Sequence, residues 1–192
     1  NTQLRAFSLA INYLEPDVLT EMWNVLSQLP HLAELDMDEC AWPPEWTEEV
    51  PPLPQLQSLV LHSMKTLSYP ILAKLVYKMP LLTALKVEST PFEAEELASF
   101  LQRLPPTLQI LSFCNASVQL EEEVVTWLPL QLKQVWLNVG DCRTVKQAEN
   151  MATYFRQMTE LEVVTLSLNL SLLLLDEEEQ EEVVMIWLNM LA

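Results

Sequence analysis

The sequence predicts an α/β solenoid of about seven repeats, with parallel strands on one side and helices on the other, as a single domain over residues 1–192. Three observations carry this. An apolar pattern L-x-x-L-x-L returns in phase along the whole chain. The segments between its copies are long enough for a helix and its two turns. Half of the residues are hydrophobic, yet there is one glycine against thirteen prolines. That scarcity of glycine disfavours folds that depend on tight primed hairpins, which need positive backbone angles.

The first copy is Leu4, Phe7, Leu9. The next are Leu32, Leu35, Met37; Leu56, Leu59, Leu61; Leu82, Leu85, Val87; Leu108, Leu111, Phe113; Leu132, Val135, Leu137; and Leu161, Val164, Leu166. Their first leucines are spaced by 28, 24, 26, 26, 24 and 29 residues, a mean of about 26. In each copy a short strand alternates its side chains, so the last two apolar residues share one face. A parallel connection needs a dozen or more residues and is usually helical. One such unit cannot bury its own leucines, so the units must stack.

The returns carry helix signals. Asp17 is placed to cap a helix with Val18, Met22, Val25, Leu26 and Leu29 as its apolar stripe. Residues 41–54 hold Pro43, Pro44, Pro51, Pro52 and Pro54, which predicts an irregular crossing with at most one helical turn. Thr90-Pro91-Phe92-Glu93 reads as a capping box with Pro at the first helical position. The helix it opens runs to about Leu104 on Phe92, Leu97, Phe100, Leu101 and Leu104. Asp176, with Glu179 three residues on, caps the last helix. Trp23 and Trp127 each follow their repeat's first leucine by 19 residues, a shared position that points to core packing.

These repeats resemble the leucine-rich-repeat superfamily, and within it the longer ribonuclease-inhibitor-like and F-box-type members. The resemblance runs from Leu4 to about Ala192. It implies a horseshoe with parallel strands on the concave face and helices on the convex one. The asparagine that commonly follows the pattern is Asn12 in the first repeat, but Cys40, Met64, Thr90 and Ala116 replace it in the next four. The asparagine ladder is therefore incomplete.

The net charge of −17 disfavours direct contact with nucleic acid or an anionic membrane surface. It suits a basic protein partner, and equally a well-solvated acidic surface. No apolar run is long enough to span a membrane, and no signal peptide opens the chain. Three cysteines, an odd count with no CxxC pair, indicate neither a disulfide framework nor a zinc site and fit a reducing, intracellular compartment, cytoplasmic or nuclear. Two short sequons, at Asn115 and Asn169, weigh only slightly against that. The chain starts at Asn1 inside a repeat and neither end shows a polar cap, so it reads as a piece of a longer chain.

No glycine-rich phosphate loop, Ser/His/Asp set, HExxH or other catalytic signature occurs, and no cofactor or metal is implied. The expectation is a non-enzymatic protein-interaction module. Its site would be the concave face, made of the strand residues that alternate with the buried leucines. Glu34, Asp36 and Asp38 place three carboxylates on one face of one strand about 7 Å apart. They could receive a Lys- or Arg-bearing segment, or be a solvated face. Trp136 is either an exposed anchor or packs against a neighbour such as Ile110 or Val163. His62, Lys86, Glu88 and Asn138 complete the candidate face. Most other acids sit in Glu93–Glu96, Glu121–Glu123 and residues 176–182, where the positive end of a helix dipole favours them. The segment Glu182–Ala192 is apolar nearly all round, so it packs under a further repeat or contacts a partner. The resemblance suggests a substrate-recognition domain of an F-box-type ubiquitin-ligase adaptor. A scaffold subunit of a larger assembly and a sensor domain of an immune-type receptor are the alternatives.

Overall fold

The structure is a computed structural model that describes residues 3–11, 16–40, 51–64, 66–89, 97, 100–114, 125–139, 144–168 and 177–190. It is an α/β chain built on one seven-stranded parallel sheet: β1 (Ala6–Ala10), β2 (Glu34–Asp38), β3 (Ser58–His62), β4 (Ala84–Glu88), β5 (Ile110–Cys114), β6 (Gln134–Val139) and β7 (Val163–Leu168). Strand order in the sheet equals strand order in the chain, and every neighbouring pair is parallel. Each strand begins at the residue that the repeat pattern assigns to it. This sequential parallel arrangement is compatible with a leucine-rich-repeat-like solenoid.

Register is uniform because each repeat enters the sheet by the same device. The carbonyl just before a strand accepts two N–H groups from the following repeat: Arg5 from Ala33 and Glu34, Ala33 from Gln57 and Ser58, and so on through Gln57, Thr83, Gln109 and Lys133. Two donors on one acceptor fix the slip of each strand against the last. A one-residue slip would turn every leucine to the wrong face.

The strands leave the sheet by a second device. Glu39, Ser63 and Ser89, each directly after a strand, adopt left-handed backbone with φ of 56°, 52° and 51°. The Glu39 and Ser63 amides donate to the carbonyls of His62 and Glu88 in the next strand. Glycine is the residue for which this conformation is free of steric cost, but the chain uses none at these positions. After Glu39 and Ser63 the next residue drops into the core. Cys40 and Met64, at the repeat position that Asn12 holds in the first repeat, are both fully buried.

Four helices have described bounds: α1 (Pro16–Ser27), α2 (Tyr69–Tyr77), α3 (Val145–Phe155) and α4 (Glu177–Met190). Their apolar faces cover one side of the sheet. One continuous core joins Leu19, Trp23 and Leu26 of α1, Leu72 and Leu75 of α2, Met151 and Phe155 of α3, and Val183 and Trp187 of α4 to the inward leucines of the strands. At its centre the rings of Tyr69, Phe100 and Phe113 meet at centroid distances of 5.5–6.3 Å. Thr144 caps α3 by accepting from the Gln147 amide at 3.2 Å, whereas Ser68 precedes α2 without a side-chain cap and Pro70 fixes its first turn.

Two expectations for α1 change. The helix starts at Pro16, so Asp17 lies inside its first turn rather than at the cap. The carboxylate there still complements the dipole. The buried stripe is Leu19, Trp23 and Leu26, while Val18 and Val25 are about half exposed. Spacing alone does not separate residues 18 and 25 from 19 and 26. The large Trp23 decides, because burying it orients the helix. Its Nε1 also donates to the Pro51 carbonyl at 3.2 Å. Trp23 is thus core, as expected, and Trp127 is half-buried against the same core. Leu97, Phe100 and Leu101 are helical and buried, and Leu104 is half-buried. The Thr90–Glu93 box, the Asp176 cap, residues 41–50 and both sequon asparagines lie outside the described residues.

Candidate functional site

The helices leave the other face of the sheet open, and the alternating strand residues form three rows across it. The middle row runs Ser8, Asp36, Val60, Lys86, Ser112, Trp136, Thr165. Beside it runs Ala10, Asp38, His62, Glu88, Cys114. Because register is in step, residues at the same repeat position stand about 4.8 Å apart, one strand to the next.

His62 is the centre of the acidic part. Its Nδ1 lies 3.2 Å from Glu88 Oε2 on β4, and its Nε2 lies 3.9 Å from Asp36 Oδ1 on β2. Asp38 is its direct register neighbour. A neutral imidazole carries one N–H, and a protonated one carries two, so only the charged ring can donate towards both carboxylates. All three side chains are about one third to one half exposed, which limits each contact to a modest, salt-sensitive contribution. Carboxylates on the two strands that flank β3 thus surround one histidine and leave net negative charge facing solvent.

Lys86 of β4 reaches Trp136 of β6, its Nζ 5.9 Å from the ring centroid. Between them in the row is Ser112, which is only 3% exposed although it sits on the open face. The long lysine and the indole meet above it and close it off. Trp136 is half-buried, and its charged neighbour is neither of those that the sequence suggested.

The structure therefore brings Asp36, Asp38, His62 and Glu88 into one cluster and joins Lys86 to Trp136. Glu34 stays apart at the entry of β2, exposed and paired in register with Ser58. Asn138 is placed on β6 opposite Ser167, and its side chain lies outside the described residues. Sequence reasoning missed the Lys86–Trp136 contact. The signal was present: the two residues are 50 apart, two repeat lengths, and so share a row. Among the described residues no group of three His, Cys, Asp or Glu side chains is arranged to hold a metal ion, and no helix is long and apolar enough to cross a membrane.

Cys40 and Tyr154 carry shifted titrations. Burial raises the Cys40 thiol above its ordinary value, against a lowering hydrogen bond involving the Ile11 backbone, and the Asp38 charge raises it further. The thiol donates to the Asp38 carbonyl at 3.5 Å. Burial likewise raises Tyr154, whose hydroxyl donates to the Leu128 carbonyl at 2.7 Å.

No protein-family model matches the sequence, and no curated protein matches it. Among solved structures the chain is similar to the tropomodulin C-terminal domain of Caenorhabditis elegans, at 12% identity and a TM-score of 0.39, over 99% of this chain and 86% of that one.

Proposed function

We propose that the chain is a protein-binding module of the leucine-rich-repeat kind, without enzymatic activity, whose open sheet face is the inner face of a horseshoe and takes a basic segment of a partner protein. The observation that carries this is the cluster at β2–β4, where Asp36, Asp38 and Glu88 surround the single His62. A lysine or arginine arriving there brings a full positive charge and N–H donors to the three carboxylates. Glu34 and Asn138 extend the face at its entry and exit, and Lys86 with Trp136 supplies a cation and an aromatic ring beside it. Aromatic residues of this kind anchor protein interfaces. The resemblance of the repeats to F-box-type domains supports substrate recognition for a ubiquitin-ligase adaptor in an intracellular compartment, with the ligase-docking part supplied elsewhere.

The test is affinity purification with mass spectrometry, comparing the wild type with Glu34→Lys/Asp36→Lys/Asp38→Lys and with Trp136→Ala, each checked for folding by circular dichroism. Partners lost only from the folded variants place recognition on this face. The direct arm titrates a Lys/Arg-rich peptide against the same proteins. A tenfold or larger weakening by the triple variant is expected, equivalent to about 1.4 kcal/mol. Unchanged affinity and an unchanged partner set would remove these residues from the proposal. A scaffold role is a second reading, favoured by the exposed Val184, Met185 and Leu188 on α4.

A further inference from the structure

Histidine is the side chain whose ordinary charge change falls between pH 5 and 8. The chain has two, His31 and His62. His31 lies exposed in the turn between α1 and β2, off the strands. His62 stands inside the acidic cluster, on the strand between the two that carry its carboxylates.

Its surroundings give the ring two states. Neutral, it has one N–H to donate and one lone pair to present. A lone pair turned to a carboxylate is repulsive, so one of its two acidic neighbours goes unmet. Protonated, it directs Nδ1–H to Glu88 Oε2 at 3.2 Å and turns a positive Nε2–H towards Asp36 Oδ1 at 3.9 Å. The charged ring then links β2 and β4 across β3. On the open side of these strands Glu34 and Asp38 of β2 add negative charge, and β3 has no charged residue besides His62. Lys86 of β4 is turned the other way, towards the Trp136 ring on β6. Among the described strand residues, the positive charge that meets these carboxylates is therefore that of His62, and it comes and goes with pH.

We propose that His62 is a pH switch for this face: acid charges the ring, the imidazolium takes up Asp36 and Glu88, and a basic partner segment is released. This rests on the reading of the open face as a site for such a segment. The three side chains are about one third to one half exposed, so solvent protons and the partner's side chain reach the same atoms. An arriving lysine or arginine and the imidazolium compete for the same carboxylate oxygens and repel each other at close range. Protonation and binding therefore oppose each other, and by linkage each weakens the other by the same factor. Exposure keeps that factor modest, about threefold to tenfold at low salt. Binding at intermediate pH expels a proton from the ring.

The experiment titrates a Lys/Arg-rich peptide, with blocked ends and no histidine, against the protein at pH 7.5 and pH 5.5 in about 20 mM salt, where screening is weak. Circular dichroism confirms folding at each pH. The wild type is expected to bind about threefold to tenfold more weakly at pH 5.5. His31→Gln should keep that ratio. His62→Gln should bring its own ratio to about one. His62→Lys, with a permanent charge, should also lose the pH dependence and bind more weakly than His62→Gln at both pH values. Calorimetry at pH 6.5 in two buffers of different ionisation enthalpy should show the wild type releasing a fraction of a proton on binding, and His62→Gln releasing none. A peptide that fails to bind the wild type at pH 7.5 would overturn the reading of the face, and the switch with it. A peptide that binds equally at both pH values, a ratio that survives in His62→Gln, or one that vanishes in His31→Gln would overturn the switch alone.

Discussion

Lys86 and Trp136 meet across an intervening strand, with the ammonium nitrogen 5.9 Å from the ring centroid and Ser112 closed off beneath. Uniform register makes this possible, because it puts residues from β4, β5 and β6 in a straight row. A cation over an indole at a partly exposed site contributes about 0.5–1 kcal/mol. A double-mutant cycle with Lys86→Ala and Trp136→Ala, read by urea denaturation, is expected to show coupling of that size. Lys86→Arg should retain it, and Trp136 fluorescence should shift in Lys86→Ala. Additive single effects would mean that the two side chains do not interact in solution.

Left-handed backbone at Glu39, Ser63 and Ser89 gives a second test. A side chain in this conformation costs about 1–2 kcal/mol, and glycine avoids it while adding entropy to the unfolded chain. The steric relief is the larger effect. Ser63→Gly is expected to raise stability by up to about 1 kcal/mol, and Ser63→Val to lower it by more than 1 kcal/mol, since a β-branched residue is a genuine outlier there. Thermal and urea midpoints of the two variants should therefore move in opposite directions.

Cys40 sets an alkaline limit. Burial raises its pKa in the folded state above the ordinary value of 9.0. The folded chain therefore holds the proton more tightly than the unfolded chain. The stability this group supports is fully present below pH 9 and falls as pH rises from there through the folded pKa. Between pH 8 and pH 10.5 the wild type should lose more stability than Cys40→Ala does, with urea midpoints as the measure. In the native protein Cys40 should also react with a maleimide far more slowly than in urea, which peptide mapping resolves from the other two cysteines.

The fold was legible because its information is periodic. Seven copies of one pattern set where the strands start, and parallel connections set the rest. The α1 stripe was not legible at the same level, since Val18 and Leu19, or Val25 and Leu26, are equivalent to a spacing rule. Only the bulk of Trp23 distinguishes them. The acidic trio was visible on one strand, but its partners were not: His62 and Glu88 join it through side-chain reach across β3 and β4. The row shared by Lys86 and Trp136 was legible in their 50-residue spacing, but the contact itself depends on two long side chains reaching across β5.

The sheet should be soft at β1 where its middle is firm. Leu61 on β3 is fully buried with strands on both sides, and Leu9 on β1 occupies the equivalent position half-covered. Truncating a buried leucine removes its transfer energy and leaves a cavity that the surroundings only partly fill, at about 2–5 kcal/mol. Leu61→Ala should fall in that range. Leu9→Ala should cost less than half as much, because water already reaches the site and little cavity forms. The difference reports how much less of Leu9 than of Leu61 is covered by neighbouring side chains. A Leu9→Ala penalty equal to that of Leu61→Ala would mean that both leucines are equally covered in solution.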